Sequence, residues 1–348
     1  MPPVNVSKQS LHTAPESQLS PPLHAAKAIL QVLHPYRRGM WVLLLPLSIL
    51  ITQWAALHPA VVERFYSRGV YRVLTEVFGR FFGLFPFSVA ELLLYTVILT
   101  ILLWLSLHIV RLIRLRDFTT RLPGMLATLA CVTGIGYFAF TLFCGLNYHR
   151  VTFADQSGLE IRPSSTQELA ALYEELVHTA NAARQQVLNG DSGEMLLSQD
   201  SFYATGVQAA QAMSQLGEHY PQLGGFTPPA KPVVVSRGMS VIDITGIYIP
   251  FTFEGNVNVD VPHYYIPFSM IHELAHYKGF MREDEANFIA YLGCREANDP
   301  AFAYSGSLLA LIHSGNALYS VDPELYFDLS AQLSEGIRRV LEISSASW

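Results

Sequence analysis

The chain has 348 residues, long enough for about two domains, and it is 51% hydrophobic but only 14% charged. With a mean hydropathy of +0.27, that balance excludes an ordinary soluble enzyme and points to membrane spans. The net charge of -6 gives no basic footprint for nucleic acid.

Taken in order, residues 1–26 are polar and lack apolar patterning, which predicts a disordered tail. The first apolar run comes late and has no small-residue cleavage site, so it does not read as a signal peptide. A membrane domain is expected over 27–149, with three transmembrane helices at about 39–57, 88–110 and 123–146. Pro46 lies within the first, where a membrane helix tolerates it. Between the first two spans, residues 58–87 mix Arg64, Arg68, Arg72 and Arg80 with apolar residues. They read equally as an amphipathic helix on the membrane surface or as a helix packed on the following domain. Glu91, near the start of the second span, is expected at the interface, within reach of an arginine such as Arg80. A short basic connection, RLIRLRDFTTRL, leads into the third span. The lysines and arginines near the spans place the N-terminus and this connection inside, and the chain from Asn147 outside, a cytoplasmic membrane. The lipid bilayer is therefore an expected partner. Three cysteines (Cys131, Cys144, Cys294) make no disulfide framework, and each reads as a buried, inert thiol.

Residues 150–348 read as one mainly helical domain. Ser165-Thr166-Gln167-Glu168 is a capping box ahead of a long amphipathic helix, and a second helix is expected to about Leu216. The stretch from Lys231 to Pro262, with β-branched runs broken by glycines, predicts two or three short strands. Such a strand could hold a peptide in extended form beside the following helix, or it could simply cover that helix. Two further helices are expected over about 298–319 and 323–343, with Asp322 capping the last.

The chemistry is concentrated in His272-Glu273-Leu274-Ala275-His276. On a helix the two histidines stack one turn apart and can share a zinc ion, with Glu273 beside them to take a proton from a water that the metal activates. Pro267 suits a first turn and Gly279 suits a left-handed C-cap. A zinc site with an open position wants a third protein ligand, and Glu283, Asp284 and Glu285 follow at the start of a second helix. Glu283 is favoured because Asn287 falls four residues later on the same face, where it can steady a histidine. Glu285 is the rival, and the helix dipole alone accounts for acids in a first turn. The extended three-histidine pattern fails, since Arg282 stands where its third histidine would be. His313, Tyr304 and His263 are candidates by residue type to steady an oxyanion.

Several segments, GLNYHR (145–150), FYSRGVYRVL (65–74), FPFSVAELL (85–93), GIYIPFTFEGNVNVDVP, HELAHYKGFMREDEANFIAYLGC and FAYSGSLLAL, resemble a bacterial membrane family called domain of unknown function 3810. The resemblance runs over nearly the whole chain after the first thirty or so residues. It implies a membrane protein with a zinc-peptidase-like domain of the H-E-x-x-H…E kind. The expectation is a mainly α chain: three transmembrane helices, then a helical zincin-like (gluzincin-type) domain with a small β-sheet. The expected activity is that of a zinc metalloendopeptidase with Zn²⁺ on His272, His276 and Glu283, Glu273 as general base, and a peptide or protein substrate. The alternative is a non-catalytic membrane sensor or scaffold that binds zinc or a peptide.

Overall fold

The computed structural model describes residues 37–115, 118–191 and 193–347; the tail expected over 1–26 lies outside the described residues. The fold is mainly helical, with three long apolar helices and one small mixed sheet.

A short helical turn, Arg37–Val42, precedes α1 (Leu44–Leu57). The break between them is caused by Pro46, which has no N–H to donate to the preceding turn and so sits best in the first turn of a new helix. Residues Val62–Val70 then wind as a π-helix that continues into α2 (Tyr71–Phe82). Next come α3 (Val89–Leu115) and α4 (Phe118–Phe143). Both run on into the stretch read as a basic connection, so the link between them is far shorter than expected. Met40–Leu57, Val89–Arg114 and Leu122–Phe143 are long and apolar enough to cross a membrane. The third ends earlier than its sequence suggested, because Gly145–His149 tightens into a 3₁₀ turn. α4 packs along α1, whereas no residue in the most apolar stretch of α3 is buried.

The remaining helices of eight residues or more among the described residues are α5 (Thr166–Arg184), α6 (Phe202–His219), α7 (Tyr265–Tyr277), α8 (Glu283–Glu296), α9 (Pro300–Val321), α10 (Pro323–Ser330) and α11 (Glu335–Ser347). Ser165 opens α5 with the expected reciprocal pair: its hydroxyl accepts from Glu168 N–H, and the Glu168 carboxylate accepts from Ser165 N–H at 2.9 Å. A single helix expected from Pro323 is in fact two. Asn181 brackets the break, donating to Gln332 C=O at 2.9 Å and accepting from Ser334 N–H at 2.8 Å. Asp322 consequently caps α10, not the last helix.

Three strands form the sheet in the order β1-β3-β2: β1 (Lys231–Pro232), β2 (Gly246–Ile249) and β3 (Glu254–Val257). β1 runs parallel to β3 and β2 antiparallel, with Tyr248 opposite Gly255. The β-branched run after Pro232 leaves the sheet almost at once. The N–H groups of Val234 and Val235 donate to the Glu91 carboxylate, both at 2.9 Å, and a helical turn follows at Ser236–Ser240. Glu91 is therefore buried and bound to backbone at the start of α3, and the arginine expected within its reach, Arg80, pairs with Glu76 instead.

The sheet also grips the start of α3. The Glu254 carboxylate accepts from Val89 and Ala90 N–H at 3.2 and 2.7 Å, where the helix dipole favours an anion. Lys231, fully buried, pairs with Glu254 and donates to Phe82 C=O at 2.7 Å. One large core joins α5 through α11 and Val257 of β3. A second, smaller core joins Ala55, Tyr66, Tyr71, Cys144 and Leu146 to Phe253, Tyr277 and Met281, and so seats the end of α7 on the ends of α1 and α4. Of the two readings of residues 58–87, the packing on the domain is seen: α2 bonds to the end of α7, while Val73, Val77 and Phe81 on its other side stay exposed. Cys144 and Cys294 are buried free thiols, as expected, but Cys131 is only half-buried.

Candidate metal centre

α7 is buried along nearly its whole length, enclosed by α6, α8, α9 and the sheet. Pro267 falls in its first turn. Ser305, itself buried, accepts the Phe268 N–H at 3.0 Å and donates to Tyr264 C=O, which fixes the entry of the chain into the helix. The far end is held by residues from the N-terminal half of the chain. Tyr71 Oη donates to the carbonyls of His276 and Tyr277 at 3.2 and 3.1 Å, and Arg150 donates to Lys278 C=O at 3.1 Å. These are carbonyls that a helix end leaves without intrahelical partners. Arg150 is in turn paired with buried Glu63 at 2.9 Å and lies 4.0 Å from the centre of the Phe280 ring. Gly279 has φ +90°, and a methyl group there would come within 2.9 Å of Arg150 Nη1, so both conformation and space require glycine.

The turn after Gly279 brings Phe280 C=O back to His276, whose Nδ1–H donates to it at 2.8 Å. That bond fixes the tautomer and leaves Nε2 facing the start of α8. The two imidazoles stand edge to face with centroids 4.7 Å apart. Glu283, first residue of α8, closes the group: its Oε2 lies 3.1 Å from His272 Nε2 and its Oε1 lies 3.5 Å from His276 Nε2. One ligand atom from each of the three residues lies within 4.8 Å of the other two, so His272, His276 and Glu283 could hold a metal ion. Glu285 is engaged elsewhere, accepting Phe153 N–H at 2.7 Å and pairing with Arg282 at 3.2 Å. Asn287 lies beside His272, on the same wall of the cavity.

Burial and charge divide these groups. Burial, then the nearby His272, pushes the His276 imidazole down to about 4, which keeps it neutral. At His272 burial also opposes the charge, but the hydrogen bond to Glu283 and the fields of Glu273 and Glu283 outweigh it, and the pKa is raised. The Glu283 carboxyl is lowered, chiefly by its bond to His272. Glu273 is buried and pushed up to about 8 by desolvation, against the pull of His272. Its Oε2 has no hydrogen-bond partner among the described residues. Glu273 reaches this position because β2 and β3 cross over it with glycines: a methyl on Gly255 would lie 2.8 Å from its Cβ, and one on Gly246 would strike its Oε1.

A cavity of about 540 Å³ opens over the group. Of the three oxyanion candidates only His313 lines it; His263 faces a separate cavity, and Tyr304 is buried against Arg184. Three tyrosines that no spacing singled out, Tyr148, Tyr248 and Tyr265, also line it. So do Phe140 and Cys144, from the last turn of α4 and the residue after it. Two imidazole nitrogens, one carboxylate and a buried, unpartnered acid beside them are the donor set and the base that a catalytic zinc site uses. The residues fit such an ion.

No curated protein and no solved structure matches the chain. Residues 66–348 match the family described as a protein of unknown function, DUF3810. That match takes in the second half of the π-helix, the second and third apolar helices, the sheet and the histidine helix, and the chain belongs to the DUF3810 family.

Proposed function

We propose that this chain is a membrane-anchored, zinc-dependent peptidase that hydrolyses peptide bonds, with His272, His276 and Glu283 as zinc ligands and Glu273 as general base. The observation that carries this reading is the convergence of those three side chains around one position, with Glu273, whose Oε2 has no hydrogen-bond partner among the described residues, on the wall of the same cavity. Zinc held there would polarise a carbonyl and acidify a water. Glu273 Oε2 takes a proton from the attacking water, and its raised pKa suits a group that must both accept and return one near neutral pH. The water oxygen bonds to the acyl carbon, the C–N bond breaks, and Glu273 delivers the proton to the leaving nitrogen. His313, on the cavity wall, is placed by type to donate to the developing oxyanion. β2 is an edge strand of the sheet and lies along the cavity, where an extended peptide can add to it. The three apolar helices anchor the site, with the cavity on the outer side of a cytoplasmic membrane.

The test is Glu273→Gln in the full chain. It should keep one zinc per chain by metal analysis and lose turnover by about 10²–10⁴-fold. Protein fragments that accumulate in cells with the wild type should be missing with the variant. A purified wild-type chain that takes up no zinc, or a variant that cuts as fast as wild type, would end the reading. A variant that keeps its cellular role without turnover would favour the zinc-binding sensor.

A further inference from the structure

Three features place the mouth of the cavity beside the lipid. First, its wall includes Phe140, inside the third apolar helix, and Cys144 just past that helix. The histidine helix is thus not carried above the membrane on a stalk. Tyr277, next to His276, shares one core with Ala55, Cys144 and Leu146 at the ends of the spans. Second, the links that join the span ends expose apolar side chains on the outside. Val73, Val77 and Phe81 recur every four residues along α2, and they lie on its solvent side while Tyr71, Thr75 and Gly79 are buried. Between Val73 and the buried face run Arg72, Glu76 and Arg80. This is the order of an interfacial helix, apolar stripe inward and charged edge at headgroup level. Third, the loop after β1 is hooked to the start of α3 through Glu91 and points Val234, Val241 and Ile242 outward, 83%, 79% and 63% exposed. Asp243, Ile244 and Thr245 follow at once and line the cavity. Water-exposed apolar tips on a loop and a helix that both abut span ends are covered when the bilayer surface lies at that level.

We propose that the cavity takes peptide segments at the membrane surface, from substrates anchored in the same bilayer, and cuts them close to the point where they leave the lipid. This rests on the hydrolase reading above and needs no co-reactant but water: its oxygen goes to the acyl carbon and a proton to the leaving nitrogen. A soluble peptide has to reach a site that opens at the headgroups, whereas an anchored one is confined to that plane at high effective concentration.

The experiment uses the full chain with zinc in vesicles of phosphatidylethanolamine and phosphatidylglycerol. A degenerate peptide library is supplied in two forms, free in solution or fused to a single apolar helix in the same vesicles. The anchored form carries a spacer of about 30 residues, about 100 Å when extended. The expected result is cleavage at least about tenfold faster for the anchored form. The cuts, read by mass spectrometry, should fall within about 10 residues of the anchor, about 35 Å of extended chain. The Glu273→Gln chain should produce none of them. Cuts spread along the whole spacer, or a free library cut as fast as the anchored one, would overturn the membrane-surface inference and leave the peptidase reading standing. If the wild type cuts neither form, the peptidase reading falls and this inference falls with it.

Discussion

At the scale of single residues, Asn287 separates a ligand set from a mere cluster of charges. It lies beside His272 on the cavity wall, while Glu283 faces both imidazoles. In a metal site the partner that orients a ligand histidine is worth about 10–100-fold in metal affinity. Asn287→Ala should therefore weaken zinc binding by that factor, Glu283→Ala should weaken it more, and Glu285→Gln should leave it unchanged. Competition with a zinc-binding dye reads all three, and equal losses at Glu283 and Glu285 would contradict the assignment. The histidines and Glu273 were legible in sequence because a four-residue spacing fixes a shared helix face whatever surrounds it. The Asn287 spacing favoured Glu283 over Glu285, but how α8 docks against α7 was not legible: the Phe153 N–H takes Glu285, and that residue lies 132 positions away in the chain. Tyr148, Tyr248 and Tyr265 carry no local signal at all, since three different elements bring them together.

At the scale of elements, the long amphipathic helices and the apolar runs could be read from period and composition, and the short strands could not. The valines after Pro232 have strand-like side chains, yet two of their backbone donors go to Glu91 and the strand stops. Tertiary partners overrode a local preference there. The same junction holds the buried Lys231–Glu254 pair that joins β1, β3, α2 and α3. Lys231→Met removes the cation and leaves Glu254 among apolar neighbours, with only the N–H groups of Val89 and Ala90. Losing one partner of a buried pair costs about 3–5 kcal/mol, and those two donors put the expected loss at the lower end. Thermal unfolding in detergent should show it, and the double variant Lys231→Met/Glu254→Gln should recover most of it. A single variant as stable as wild type would show that the pair contributes nothing.

For the whole molecule, the division at residue 150 that composition suggests cuts through contacts that hold the histidine helix. Glu63, Tyr71 and Thr75 lie on the N-terminal side of that division. They bond to Arg150 and to the end of α7, where Tyr277 Oη donates to Thr75 C=O at 2.7 Å. A fragment of residues 150–348 would leave Arg150 without Glu63 and the carbonyls of His276 and Tyr277 without Tyr71. Such a fragment is expected to bind zinc at least about tenfold more weakly than the full chain, because the His276 ring loses the frame that orients it. Isothermal titration of the two proteins decides the point; equal affinities would show that the C-terminal part is self-sufficient. The sequence revealed the spans and the motif as separate signals, and only the small core they share shows where the two are joined.

The three apolar helices are not of equal length. Their apolar windows hold 18, 26 and 22 residues, about 27, 39 and 33 Å of helix, against a hydrocarbon layer about 30 Å thick. The middle one has the largest excess, and it also has the fewest neighbours to hold it upright. Fixed at its first turn by Glu254, in a bilayer that it crosses it would have to lean, or else push Arg111 and Arg114 out among the phosphates on the far side. Hydrophobic mismatch thus falls on a single rod, and a thicker bilayer would bring that rod closer to the membrane normal.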